Sequence, residues 1–147
     1  PGPDGGPHEW WTLRWLGNGW VQRPIAKSDH NYDHGSLAIM PDGEWRLVAP
    51  LVPGPQRFGT GGMMVCRNSD DNGISWQESG VLTPAGASFN HTYARKPWQA
   101  HPDFSFLWSD GHAFEKSESS LYFCNDAGNV FRLPREMREA WQKPERL

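Results

Sequence analysis

Short strand-like runs separated by tight turns recur along the chain. Apolar runs flank Pro41-Asp42-Gly43 in SLAIMPDGEWRLVAP and Asp71-Asn72-Gly73 in MMVCRNSDDNGISWQESGVLT. Asp-Gly or Asn-Gly between such runs is a strong hairpin signal, because these residues accept the positive φ that tight turns need. Similar turn sequences fall at residues 17–19 and 126–129. Helical periodicity is nearly absent, so the chain is predicted to be all-β and built from antiparallel hairpins.

The spacing of these hairpins narrows the architecture. Residues 36–83 hold four strands in about the length of one propeller blade, a sheet of four successive antiparallel strands. We therefore expect a partial β-propeller of about two to three four-stranded blades. Residues 1–34 would form the outer hairpin of one blade plus a connecting loop, 35–84 a complete blade, and 85–147 the start of the next blade with a truncated C-terminal segment. Because so few blades leave sheet edges open, we also expect the chain to be a fragment of a longer propeller.

Composition excludes several classes of partner. The 147 residues carry a net charge of −3 with a pI near 6.1, so no basic field attracts nucleic acid or an anionic membrane. No apolar run approaches the roughly 20 residues of a membrane-spanning helix. Most of the nine tryptophans are expected to fill a β-rich core, although sugar-binding surfaces also use flat aromatic rings. Cys66 and Cys124 lie in strand-like runs, which favours buried free thiols over a single disulfide.

The segment SDDNGISW at residues 69–76 matches the Asp-box pattern Ser-x-Asp-x-Gly-x-Ser/Thr-Trp. Its defining positions are Ser69, Asp71, Gly73, Ser75 and Trp76. In a hairpin, Asp71 and Ser69 can accept backbone N–H groups across the turn, Gly73 allows positive φ, and Trp76 can pack beneath. The motif resembles the repeat of the sialidase-type (BNR) β-propellers, in which the box is structural and lies away from the catalytic face. Asp71 is therefore not predicted to be a catalytic carboxylate.

Longer stretches resemble the BNR-4 group of bacterial propeller proteins and cover most of the chain between about residues 29 and 134. They are HNYDHGSLAIMPDGEWRLVAP, GTGGMMVCRNSDDNGISW, NHTYARKPWQAHPDF and LYFCNDAGNVFRLP. Related seven-bladed propellers include polysaccharide lyases acting on uronic-acid polymers such as ulvan, and rhamnosyl-glucuronate lyases and hydrolases. The resemblance implies an extracellular or periplasmic carbohydrate-active protein that is monomeric when full length and requires no cofactor. The sialidase signature Phe/Tyr-Arg-Ile-Pro is not matched by QRPIA at 22–26, which disfavours a true sialidase.

The segment NHTYARKP at residues 90–97 is the strongest candidate for a reactive surface. Read as an extended strand, it places His91, Tyr93 and Arg95 on one face, because side chains alternate. β-Elimination next to a uronate requires that the carboxylate be neutralised, the C5 proton removed and the leaving oxygen protonated. Arg95 suits the first task because its fork pairs bidentately with carboxylate, while Tyr93 and His91 suit the proton transfers. The alternative is that these side chains only pack.

A second cluster lies in DHNYDHGS at residues 29–36, before the predicted innermost strand of a blade. His30, Tyr32 and His34 share a face at a period of two residues. Loops entering an innermost strand open at the mouth of a propeller channel, so we expect His34 to act in catalysis or contact substrate. His30, Tyr32 and the downstream His101 are expected to bind substrate. The alternative is a turn in which the aspartates of this segment cap backbone groups.

These observations favour a polysaccharide lyase that cleaves next to a uronic acid, and they leave alternatives open. A glycoside hydrolase on rhamnose- or uronate-containing glycans would use a carboxylate pair, for which Asp103, Asp110 and Glu115 are candidates. A propeller without catalytic activity would only bind glycan. A structural zinc or calcium ion is a further alternative, but neither Cys-x-x-Cys nor His-Glu-x-x-His occurs, so no metal ligand is predicted.

Overall fold

The computed structural model describes residues 8–28 and 34–147, and these residues form β-strands and no helix. The strands are β1 (His8–Trp15), β2 (Trp20–Ser28), β3 (Ser36–Ile39), β4 (Trp45–Val52), β5 (Met63–Ser69), β6 (Gln77–Val81), β7 (Asn90–Arg95), β8 (Phe106–Gly111), β9 (Leu121–Cys124), β10 (Val130–Arg132) and β11 (Glu145–Arg146). All described strand pairs are antiparallel, which confirms the predicted all-β class. The described part of the chain has no helix long and apolar enough to cross a membrane.

The described strands form three sheets, and within each sheet a strand pairs only with strands next to it in sequence. The first is the β1–β2 hairpin, the second has the order β3-β4-β5-β6, and the third has the order β11-β10-β9-β8-β7. Four of the connections between paired strands contain the predicted turns, and Gly43 and Gly128 there have φ of 93° and 80°. The connections from β4 to β5, β7 to β8, β8 to β9 and β10 to β11 are longer and were not predicted as tight turns. Residues 36–81 thus form the four-stranded antiparallel sheet that the hairpin spacing predicts.

The second sheet is covered on both faces by apolar side chains. On one face, Val48 of β4 and Met64 of β5 share a cluster with Phe106, Trp108 and other residues of the third sheet. On the other face, a second cluster contains Leu47, Ala49, Leu51 and Val65 and packs against Trp10, Ile25 and Ala26 of the hairpin. Because side chains alternate along a strand, the continuous apolar run LVAPLV of β4 fills both clusters. Burying one such Val or Leu side chain contributes about 1.5–3 kcal/mol.

The Asp box closes the turn between β5 and β6 with the predicted hydrogen bonds. Asp71 Oδ1 accepts the N–H groups of Ile74 (3.0 Å) and Ser75 (2.9 Å), and its Oδ2 accepts the Ser75 hydroxyl (2.6 Å). Ser69 Oγ donates to Asp71 Oδ1 (2.7 Å) and accepts the Gly73 N–H (2.8 Å). These bonds, led by the one from the Ser75 hydroxyl, hold the pKa of the Asp71 carboxyl well below its usual range. The carboxylate is fully used by the turn, in agreement with a structural role.

The remaining residues of the Asp box fit the turn to the core. Gly73 has φ of 80°, and a Cβ there would lie 3.0 Å from the Trp45 ring, so the position favours glycine on both counts. Trp76 packs against the apolar cluster between the hairpin and the second sheet. The turn is therefore held both by its own hydrogen bonds and by packing between the β1–β2 hairpin and the second sheet.

Cys66 and Cys124 are free thiols, as predicted, but only Cys124 is fully buried, whereas Cys66 is partly exposed. Burial raises the pKa of the Cys66 thiol, and it raises the pKa of Cys124 to about 12. Because the thiolate is the reactive form, neither side chain is prepared for nucleophilic chemistry.

Candidate functional site

β7 connects the second and third sheets, and it brings two of the sequence clusters together. The N–H of Gly62 donates to the carbonyl of His91 (3.0 Å), and the N–H of His91 donates to the carbonyl of Gly62 (2.8 Å). Further along β7, the N–H of Ala94 donates to the carbonyl of His34 (3.1 Å). The segment NHTYARKP therefore runs beside the residues that lead into β3.

A β-bulge in β7 determines which of its side chains reach the surface. Thr92 and Arg95 pair with residues of β8 that are only two positions apart, so Tyr93 and Ala94 together oppose a single residue. Tyr93 has φ of 58°, in the left-handed region that a bulky side chain rarely adopts. A bulge inserts one extra residue into a strand and thereby re-aims the side chains around it.

The prediction that His91, Tyr93 and Arg95 share one face is therefore wrong. His91 is 1% exposed and Ala94 is fully buried, whereas Tyr93 is 44% exposed and Arg95 is also exposed. The physical reason is the bulge, because one extra residue interrupts the two-residue alternation from which the row was inferred.

His91 is buried and contacts two aromatic residues of the third sheet. Its Nδ1 accepts the indole N–H of Trp108 (2.8 Å), and its ring centroid lies 4.7 Å from that of Tyr122. The Tyr122 hydroxyl donates to Asp110 Oδ2 (2.6 Å), and the N–H of Ser120 donates to Asp110 Oδ1 (2.6 Å). Burial lowers the pKa of His91 to about 4, although the nearby Asp110 carboxylate acts in the opposite direction. The imidazole is thus neutral and enclosed, away from a substrate on the surface.

Tyr93 and His34 meet at the surface. Their rings are stacked, with centroids 5.4 Å apart and an interplanar angle of 30°. Both side chains are exposed, and the hydrogen bond between Ala94 and His34 holds the two backbones together. The structure thus joins one residue from each predicted cluster.

Arg95 lies two residues beyond Tyr93, and its side chain is also exposed. Its Nη1 donates to the carbonyl of Ala94 (3.1 Å). A guanidinium has five N–H donors in a planar fork, so one backbone contact leaves room for bidentate pairing with a carboxylate. We define His34, Tyr93 and Arg95 as the surface triad.

The other predicted site residues are not part of this triad. His30 and Tyr32 lie outside the described residues. His101 lies in the exposed connection between β7 and β8, where its Nδ1 accepts the N–H of Asp103 (3.2 Å) and is 3.5 Å from the Asp103 carboxylate. Within residues 8–28 and 34–147, no group of three or more His, Cys, Asp and Glu side chains is arranged to hold a metal ion.

Sequence reasoning missed the largest cavity described, of about 530 Å³. It is lined by Arg132, Arg135 and Lys143, among others, but Arg132 pairs with Glu145 and Arg135 pairs with Glu118. Glu145 and Glu118 offset the charge of the two arginines, so of the three basic side chains named here only Lys143 has no carboxylate partner among the ion pairs described. The basic residues are scattered through the C-terminal segment without a motif, so no sequence signal indicated this cavity.

Comparison of the chain with protein-family models, with curated proteins and with solved structures gives no match. The resemblance to BNR-type propellers thus depends on the sequence motifs between residues 29 and 134 alone.

Proposed function

We propose that the chain belongs to a secreted carbohydrate-active β-propeller whose surface triad cleaves a uronic-acid-containing polysaccharide by β-elimination. The observation that carries this proposal is that Tyr93, with its positive φ, points to the surface and stacks on His34. A left-handed backbone at a bulky residue costs on the order of 1–3 kcal/mol. Such strain and such bulges are concentrated at functional sites, where they aim a side chain that regular structure would bury.

Each member of the triad has a task in this reaction. Arg95 pairs with the uronate carboxylate and so makes the C5 proton more acidic. The imidazole of His34 accepts that proton, since imidazole is the side chain best suited to proton exchange near neutral pH. The electron pair of the C5–H bond forms the C4–C5 double bond as the C4–O4 bond breaks, and the Tyr93 hydroxyl protonates the departing oxygen.

The contact between His34 and Tyr93 supports this assignment, because it brings the proposed base and the proposed acid together. The rings of His34 and Tyr93 are 5.4 Å apart, so the imidazole and the phenol can approach neighbouring atoms of one sugar. Tyr93 and Arg95 are two residues apart in the strand, and their Cα atoms are therefore within about 7 Å. No tightly bound cofactor is needed for this chemistry.

Hydrolysis has less support than elimination. Asp110, one of the carboxylates proposed for it, accepts hydrogen bonds from Tyr122 and Ser120 in the core. Binding without cleavage would use the same exposed side chains, and only an assay separates it from catalysis.

The decisive experiment follows the ultraviolet absorbance of the unsaturated product. The full-length protein containing this chain is incubated with ulvan and with other uronate polymers, and we expect absorbance to rise. Tyr93→Phe and Arg95→Ala should each lower the rate by roughly 100-fold or more, the usual effect of losing an acid–base or charge-stabilising group. Arg138→Ala, which changes an exposed arginine of the C-terminal segment, is the matched control and should retain activity.

Three outcomes would contradict parts of this proposal. New reducing ends without the absorbance would indicate hydrolysis. Binding of the polymer without either product would indicate a glycan-binding protein. Full activity of both Tyr93→Phe and Arg95→Ala would refute the residue assignment while the reaction class remained.

A further inference from the structure

Trp98 is the most exposed large apolar side chain among the described residues, at 89%. It lies in the connection between β7 and β8, three residues after Arg95. An indole in water forgoes the stabilisation that burial of an aromatic ring provides. Five of the nine tryptophans are exposed, so the expectation that most of them fill the core is wrong, and Trp98 is the most exposed of the five. A ligand that covers the ring would recover that stabilisation.

The first half of this connection is anchored to both sheets. The N–H of Lys96 donates to Ser36 Oγ (3.0 Å), and Lys96 Nζ donates to Ser105 Oγ (2.7 Å). The same ammonium lies 4.8 Å from the centroid of the Phe106 ring. Lys96 therefore holds the backbone immediately before the Pro97-Trp98 dipeptide.

The second half of the connection is anchored as well. The N–H of Phe104 donates to the carbonyl of His101 (2.8 Å), and the N–H of Asp126 donates to the carbonyl of Pro102 (2.8 Å). Gln99 has φ of 53°, a conformation that persists only where the surrounding contacts impose it. Trp98 is thus exposed on a backbone that is fixed at both ends.

The chain geometry limits the distance between Trp98 and Arg95. Consecutive Cα atoms are 3.8 Å apart, so the Cα atoms of Arg95 and Trp98 are within about 11 Å. A sugar next to the one whose carboxylate pairs with Arg95 can therefore reach the indole. A pyranose exposes C–H groups on one face, which are complementary to the flat, apolar face of an indole.

We propose that Trp98 is a substrate-binding residue that stacks on the pyranose adjacent to the uronate. This inference rests on the proposed function, because it places the stacked sugar next to the one that Arg95 holds. Trp98 touches a part of the substrate that does not react. It therefore contributes the same binding free energy to the ground state and to the transition state.

The test compares Trp98→Ala with Trp98→Phe and with Trp141→Ala, which removes another exposed tryptophan (75%) from the C-terminal segment. The full-length protein is assayed with ulvan oligosaccharides of increasing length. Trp98→Ala should raise KM for the longer oligosaccharides on the order of tenfold and leave kcat unchanged. Trp98→Phe should recover most of the loss, Trp141→Ala should match the wild type, and the shortest substrate should be insensitive to Trp98.

The outcomes separate this inference from the proposed lyase activity. Suppose that the unsaturated product forms but Trp98→Ala and Trp141→Ala have the same KM for the longer oligosaccharides. The stacking role is then refuted, while the lyase activity stands. If no product forms but calorimetry shows that Trp98→Ala binds the longer oligosaccharides more weakly than Trp141→Ala, the lyase is refuted and the stacking role is supported. A wild-type protein that neither binds nor cleaves these oligosaccharides would overturn both.

Discussion

His91 and Tyr93 are two positions apart on β7, yet the bulge between them gives them opposite environments. His91 accepts a hydrogen bond from Trp108 in the core, whereas Tyr93 stacks on His34 at the surface. A buried polar group is tolerated only when its hydrogen bonds are made, and the indole N–H supplies the donor here. The neighbours of each residue, rather than its type, thus determine which one is available for chemistry.

The buried imidazole of His91 should make the protein less stable in acid. Burial lowers the pKa of His91 from 6.5 to about 4, so the unfolded chain accepts a proton that the folded chain resists. This contribution to stability is fully present above about pH 6.5 and is lost as the pH falls, by roughly 3 kcal/mol at pH 4. His91→Gln keeps a hydrogen-bond acceptor for Trp108 but does not titrate there. Its free energy of unfolding, measured by urea denaturation, should therefore fall less over this window.

The control for this prediction is His101→Gln, which replaces an exposed histidine. It should retain the wild-type loss of stability between pH 6.5 and pH 4. A His91→Gln variant with the same acid dependence as the wild type would show that His91 does not titrate as its burial implies.

At the scale of elements, the connection between β4 and β5 holds β7 in place. The fully buried Asn90 accepts the N–H of Gln56 (3.2 Å) and donates to the carbonyls of Gln56 (2.9 Å) and Thr60 (3.1 Å). The Asn90 side-chain amide therefore links the backbone of the connection to β7, as backbone hydrogen bonds would between two strands. Together with the paired hydrogen bonds between Gly62 and His91, it fixes the strand just before the bulge.

Gly61 should be the most sensitive glycine of this connection. It has φ of 81°, and a Cβ there would lie 2.6 Å from the carbonyl oxygen of His91 and 2.2 Å from the Thr92 side chain. Gly61→Ala should thus lower the free energy of unfolding by roughly 3 kcal/mol or more, from backbone strain plus overpacking. Gly86 has a similar φ of 72° with nothing within 4 Å, so Gly86→Ala should lose only about 1 kcal/mol. Equal losses in urea denaturation would contradict the close packing of β7.

At the scale of the molecule, the three sheets stack face to face around two apolar clusters. The larger cluster takes residues from the second and the third sheet, so neither sheet buries its apolar face without the other. Lateral hydrogen bonding within a sheet and packing between sheets are thus separate sources of stability, and the second source makes the sheets cooperate.

Met64 tests this cooperation because it is fully buried between the second and third sheets. Met64→Ala should lower the free energy of unfolding by about 3 kcal/mol. Hydrogen exchange should accelerate to the same extent in β4 and β9, although only β4 belongs to the same sheet as Met64. Met137→Ala, at an exposed methionine, should change neither quantity. Faster exchange confined to the second sheet would show that the layers unfold independently.

The sequence alone was sufficient for the four hairpins with tight turns and for the Asp box. Each of these depends on residues a few positions apart, such as the carboxylate of Asp71 and the N–H groups of residues 74 and 75. The free state of both cysteines was predicted for the same reason, since their strand-like surroundings are local. For the site, the sequence pointed to the two segments that meet, residues 29–36 and 90–97, and to their His, Tyr and Arg side chains.

Only the tertiary structure decided which of those residues reach the surface. The bulge at Tyr93 is defined by pairing with β8, and the burial of His91 by Trp108 and Tyr122, which are distant in sequence. No residue type within NHTYARKP marks the position of the extra residue, because a bulge is a mismatch between two strands. The local rule of alternation therefore placed three residues in one row, whereas pairing and packing between strands buried His91 and joined Tyr93 to His34 instead.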